Sequence, residues 1–149
     1  MNLEPFFATA SAYVGKYFPT REVHILERET RGIGGWLTIC WRELRFCFTV
    51  DKGAYAVEVG IVAEPSRWYD GQTLLLVMNG VAYAPGQVHM LTQVDEFGDL
   101  CDSLLKQRDT IADMFSGENL AETKRKYSER QQQVTQQIFD LSDKNKKGG

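Results

Sequence analysis

The side chains in this chain suited to covalent or metal chemistry are two histidines, three cysteines and a scatter of carboxylates. His24 lies between Val23 and Ile25, and His89 precedes a helical segment. Neither has a His, Cys or carboxylate neighbour at metal-ligand spacing such as HxxxH, so no metal centre and no cofactor are expected. Cys40, Cys47 and Cys101 are odd in number and lack CxxC spacing. Cys40 and Cys47 fall in apolar strand-like runs, which predicts buried free thiols. A Cys40–Cys47 disulfide between facing hairpin strands is the alternative. A buried thiol resists ionisation, so a Cys–His nucleophile is disfavoured, although such partners need only meet in space. Gly32-Ile33-Gly34-Gly35 has the glycine density of a phosphate loop. It runs between strands, however, and the anion site needs a helix N-terminus after it. A flexible turn is the expectation. No catalytic residue emerges, and a non-enzymatic chain is expected.

Two other sets suit recognition. Asp95, Asp99, Asp102, Asp109 and Asp113 recur along one helical segment. Facing carboxylates can hold a di-metal centre, but such sites use Glu-x-x-His, which is absent from the sequence. The aspartates read as a solvated face or as one that docks a basic partner. Trp68-Tyr69-Asp70 follows Pro65 in a connecting segment. Trp and Tyr are frequent interface anchors, so Trp68, Tyr69, Asp95, Asp99 and Asp102 form the candidate partner-binding set. Trp36, beside the glycine turn, is similar.

The elements that must position these residues follow from periodicity. Leu3, Phe6, Phe7, Ala10, Val14, Tyr17 and Phe18 recur at helical steps over 3–18. Pro5 suits a first helical turn and Pro19 ends the run. Residues 22–28 predict an edge strand. Residues 36–42, 44–50 and 54–63 alternate, with Leu37, Ile39, Trp41, Phe46, Phe48, Val57 and Val59 on one face. Short connections, among them Asp51-Lys52-Gly53, make this a four-stranded antiparallel meander with one buried face. Residues 72–79 are read as a short helix closed at Asn79-Gly80, with a hairpin over 72–84 as the alternative.

Residues 92–116 predict one long helix, capped by Thr92 and Asp95 and striped by Val94, Phe97, Cys101, Leu104, Leu105, Ile111 and Phe115. Asn119 and Glu122 resemble a second cap for a helix to about 141. Leu120, Tyr127, Val134 and Leu141 are spaced by seven, a stripe suited to one helical neighbour, in this chain or another. The fold class is α+β: an N-terminal helix, a four-stranded antiparallel meander and two long C-terminal helices. Residues 1–142 form a single domain and 143–149 a disordered tail.

Composition limits the partners. Net charge is −3, which argues against general nucleic-acid affinity. Residues 95–118 hold 2 basic and 7 acidic side chains, and 119–149 hold 7 basic and 4 acidic. An antiparallel acidic–basic helix pair is one expectation. No run of 18 apolar residues and no secretory leader pattern occur, so a cytoplasmic chain away from membranes is expected.

The meander from Glu22 to Ala63, Trp68-Tyr69-Asp70 leading into Leu74-Leu75, and the closing helix Leu100, Leu104-Leu105, Ile111, Phe115-Ser116-Gly117 together resemble a broad group of small bacterial proteins. Many of these are uncharacterised, and some are immunity proteins encoded beside polymorphic toxins. The likeness is one of layout, covers most of the chain and transfers no individual residue. It implies a protein that binds and blocks a partner enzyme, with no catalysis of its own. A second reading is a small-molecule domain with a pocket between sheet and helices lined by Trp36, Trp41 and Tyr55. A third is a hydrolase with an unrecognised site.

Overall fold

A computed structural model describes residues 2–147, with side chains as far as Gln136. The chain opens with α1 (Glu4–Tyr17), where Pro5 occupies the first turn. The meander follows as β1 (Val23–Arg31), β2 (Gly34–Trp41), β3 (Leu44–Asp51) and β4 (Ala54–Ile61). Two-residue turns at Gly32-Ile33, Arg42-Glu43 and Lys52-Gly53 connect them. Lys52 and Gly53 both have positive φ, 50° and 79°, the geometry that matches the twist of paired strands. A two-residue β5 (Tyr69–Asp70) adds a fifth strand beside β4, so the sheet order is β1-β2-β3-β4-β5, all antiparallel.

The helices are α2 (Gly71–Asn79), α3 (Val94–Leu105), α4 (Arg108–Met114) and, after a 3₁₀ turn at Gly117–Asn119, α5 (Leu120–Lys147). The helical reading of 72–79 holds: Asp70 accepts from the Thr73 N–H at 2.9 Å and Gly80 closes the helix at φ 62°. Leu91 then bridges to Tyr55, whose N–H donates to its carbonyl at 2.8 Å.

Burial follows the period of two. Leu37, Ile39, Trp41, Phe46, Phe48, Val57 and Val59 lie under the helices, together with Phe97, Leu104 and Ile111. Rings knit the layers: Phe97 is 5.4 Å from Phe6 and 5.2 Å from Tyr55, and Phe18 is 5.2 Å from Trp41. Such pairs add to the area they bury.

Five details correct the sequence reading. The helix expected over 92–116 breaks at Lys106-Gln107 into α3 and α4. Side chains satisfy the carbonyls freed there, Gln107 reaching Ser103 and Arg108 reaching Leu105, and Leu105 and Ile111 both stay buried. The cap of α3 sits one residue later than Thr92, with the Gln93 N–H donating to Glu96 at 3.2 Å. Asn119 does precede α5, but its amide turns back to the Asp113 carbonyl at 3.0 Å. Gly34 and Gly35 belong to β2 rather than to the turn. A Cβ on Gly35 would stand 3.3 Å from the Phe7 ring, so α1 rests on the sheet there. Finally, α5 packs chiefly along α2 rather than pairing antiparallel with the acidic helices; it meets α4 only near its start, where the Thr123 hydroxyl donates to the Met114 carbonyl. Among the described residues its cations pair within α5 or with Glu64: Arg125 with Glu122 and Glu129, and Lys124 with Glu64 at 2.6 Å.

Of the seven-spaced stripe, Tyr127 is buried and Val134 half-buried, while the Leu141 side chain lies outside the described residues. The α5 backbone runs on to Lys147, past the expected end near 141, and Gly148 and Gly149 lie outside the described residues.

Candidate functional site

Nothing in the placement of the histidines and cysteines builds a metal centre. Among the described residues no three His, Cys, Asp or Glu side chains converge in a way that would hold an ion. His89 is 3.4 Å from Glu96 and 3.2 Å from the Gly86 carbonyl, on the loop side of α3. His24 faces Cys40 across β1 and β2, a juxtaposition that needs the strand register to be seen. The Cys40 thiol points instead to the Arg42 carbonyl at 3.6 Å. All three cysteines are free, and Cys40 and Cys47 are half-exposed rather than buried, because both stand on the sheet face opposite the helices. Cys40 opposes Arg45 and Cys47 opposes Thr38, so the two thiols are diagonal neighbours. Diagonal positions exceed the span that a disulfide favours. Burial pushes the Cys47 thiol pKa up, and it pushes Cys101 in the core up much further.

The five partner-binding candidates do not share a surface. Tyr69 is fully buried, its ring 4.8 Å from Phe115 and 4.9 Å from Tyr127, because β5 turns it toward the core. Asp102 is engaged within the chain, accepting from the Tyr17 hydroxyl and from Lys16 at 3.3 Å. The Tyr17 hydrogen bond is the main cause that holds its carboxyl below the usual range. Asp95 and Asp99 are exposed on α3, which covers the inner face of the sheet. Trp68 is half-buried on the opposite face. The pocket imagined between Trp36, Trp41 and Tyr55 is also corrected: Trp41 and Tyr55 point inward to the aromatic core, and Trp36 points the other way.

That outer face is the surface the alternation builds. Across five strands the register aligns Glu27, Thr38, Cys47, Glu58 and Asp70 in one row. Flanking rows hold Glu29, Trp36, Thr49 and Ala56 on one side, and His24, Cys40, Arg45 and Gly60 on the other. Most of the β2–β4 members of these rows are half-exposed, unlike the buried inner face. Trp36 donates its indole N–H to Glu27 at 2.9 Å. At the far end Trp68 packs over Gly60, whose Cβ would stand 3.1 Å from the ring, and stacks on the Arg45 guanidinium at 4.3 Å. Arg45 also donates to the Glu64 and Pro65 carbonyls. Register places the two tryptophans roughly 13 Å apart along the strands and about 10 Å across them. Glu58, between them, has no hydrogen-bond or ion-pair partner among the described residues. Burial, then the Asp70 charge, raise its pKa.

Comparison with protein families, characterised proteins and solved structures finds no match to this chain. No helix among the described residues is long and apolar enough to cross a membrane. The surface must therefore be read from its own chemistry.

Proposed function

We propose that this chain is a non-enzymatic protein-binding module of a bacterial cytoplasm, an immunity-type protein that neutralises a partner toxin. The supporting observation is the outer sheet face, where two half-buried tryptophans stand at opposite ends of a floor of small side chains, Thr38, Cys47 and Ala56, with the Glu58 carboxylate among them. Hot spots at interfaces are enriched in Trp and Arg, and this face presents both in the Trp68–Arg45 stack. Its charge favours a basic partner. Arg45 is spent on loop carbonyls and Trp68, and Arg31 lies 5.8 Å over the Trp36 ring, but Glu27, Glu29, Glu58 and Asp70 outnumber these two cations, and Glu29 and Glu58 have no ion-pair partner among the described residues. Asp95 and Asp99 on α3 add to the acidic field, which speeds encounter without needing contact.

The test is coexpression with the product of the adjacent gene, followed by binding kinetics on the purified pair. Trp36→Ala and Trp68→Ala each raise the dissociation rate, costing about 2 kcal/mol where the tryptophan is a hot spot. Glu29→Lys lowers the association rate and its salt dependence. Wild-type kinetics in all three variants, each still folded by circular dichroism, defeat the assignment of this face.

A further inference from the structure

We infer that a second, separate site at one end of the sheet binds a small organic cation with an apolar body. The site is a groove of about 450 Å³. It lies between the Arg42-Glu43 turn, the first residue of β3, the last residue of β4 and the α4–α5 connection. Its volume falls within the usual range for small-ligand pockets, roughly 300–1,000 Å³. It shares no residue with the Trp36–Trp68 face, and the inference does not depend on the protein-binding reading.

The floor is apolar because strands and helices meet there by their inner faces. Leu44 and Ile61 are the paired end residues of β3 and β4, and Phe115 and Leu120 close the opposite wall. Ala63 and Ala112 leave the space open, since neither side chain extends past Cβ. Such a floor favours an alkyl or aryl group that would otherwise be hydrated.

The mouth decides the sign of the ligand. Its one cation, Arg42, is already engaged: the guanidinium lies 4.4 Å from the Trp41 ring and pairs with Asp109 at 3.5 Å. Arg42 holds this place despite a φ of 54°, a backbone region that L-residues avoid. The two acidic residues of the lining, Glu43 and Asp113, are exposed, and their carboxylates have no ion-pair or hydrogen-bond partner among the described residues, although Asp113 also borders the adjoining groove beside Lys126. Two unpaired carboxylates beside an apolar floor attract a cation and repel an anion. An ammonium on a short apolar body satisfies floor and mouth together.

The experiment titrates the isotope-labelled full chain with n-hexylammonium, hexanoate and hexanol at matched ionic strength, following backbone amide signals. Hexylammonium shifts Ile61, Ala63, Ala112 and Gly117 saturably and binds about tenfold more tightly than hexanoate. The double variant Glu43→Gln/Asp113→Asn, at two exposed positions, loses that preference and keeps its response to hexanol. Ala112→Trp fills the groove and loses all three responses. Equal or tighter binding of hexanoate overturns the inference, as do hexylammonium shifts confined to other residues or the absence of saturable binding.

Discussion

Tyr69 offers the sharpest test of the packing. Its side chain is 0% exposed, and its hydroxyl is buried with no hydrogen-bond partner among the described residues. The ring contributes through Phe115 and Tyr127, and the hydroxyl opposes that contribution. Burying a hydroxyl without a partner costs about 1–3 kcal/mol in protein mutational series. Removing it forfeits a few weak dispersion contacts, each about 0.1–0.2 kcal/mol. Tyr69→Phe should therefore raise stability by about 1 kcal/mol or more, and the melting temperature by roughly 2–4 °C for each kcal/mol at this chain length. Tyr69→Ala removes the ring as well and should cost about 3–5 kcal/mol. The assay is urea unfolding followed by tryptophan fluorescence, accepting only variants with an unchanged slope against denaturant. A Tyr69→Phe variant less stable than wild type by more than about 0.5 kcal/mol would refute the reasoning, because that deficit requires a hydrogen bond to the hydroxyl in the folded chain. A silent Tyr69→Ala would place the ring on the surface, contrary to the packing of β5.

Three further outcomes are expected. Gly71→Ala should cost about 1–3 kcal/mol in thermal unfolding, because the new Cβ would meet the Val57 carbonyl oxygen and Leu104 at 2.6 Å, whereas Gly15→Ala, with open space around it in α1, should gain about 0.4–1 kcal/mol; equal melting temperatures would contradict this. Glu58→Gln should stabilise the protein at neutral pH, with the gain fading as pH falls through the raised folded value and gone once pH is below the ordinary carboxyl value of 4.5. The sign follows from a folded pKa above the unfolded one: the charged form is penalised by folding above both values, and the penalty vanishes below both. A gain that persists at pH 3 would exclude this origin. With an aromatic disulfide reagent and mass spectrometry, Cys40 should label first, Cys47 more slowly because burial raises its pKa, and Cys101 only at the rate of unfolding. Early labelling of Cys101 would place it outside the core.

Regular periods were the part of the fold legible in the chain. Alternation picked out β2, β3 and β4 with their correct inner faces, and the helical stripe picked out Phe97, Leu104 and Ile111. Elements without a period were not legible. β5 is two residues long, and its pairing with Val59 and Glu58 depends on where the loop after β4 ends. That pairing also decides between Trp68 and Tyr69. Neighbours in extended chain point to opposite faces, so one of them had to be buried, and nothing local says which. The break at Lys106-Gln107 was hidden because the apolar stripe continues through it. The capping motif at Thr92 was misleading by one residue, since Gln93 and Glu96 have the same spacing. The groove could not be seen at all, because residues 42–44, 61–63 and 112–120 meet only after the sheet and helices assemble.

The outer sheet face raises a problem that β1 solves. A sheet with a half-exposed face and a free edge invites unwanted strand pairing, and β1 is nine residues long with Ile25 and Leu26 67% and 54% exposed. The strand carries its own defence. Ile25 pairs with Ile39, and Glu27 with the very next residue, Thr38, so Leu26 is an extra residue that breaks the ladder. Beyond it, Glu27, Arg28, Glu29 and Arg31 line the edge with charges. A flat incoming strand would meet the bulge at one end and alternating charges at the other. The bulge also sets the function of the face. It returns Glu27 to the side of Trp36, where it accepts the indole N–H, and it leaves Arg28 on the inner side, 4.2 Å from the Phe7 ring. Were Leu26 paired regularly with Thr38 instead of bulged, Glu27 and Arg28 would exchange faces, since a one-residue slip inverts a strand. The same irregularity interrupts the edge ladder and sets Glu27 rather than Arg28 beside Trp36, so one device shapes both the edge and the face.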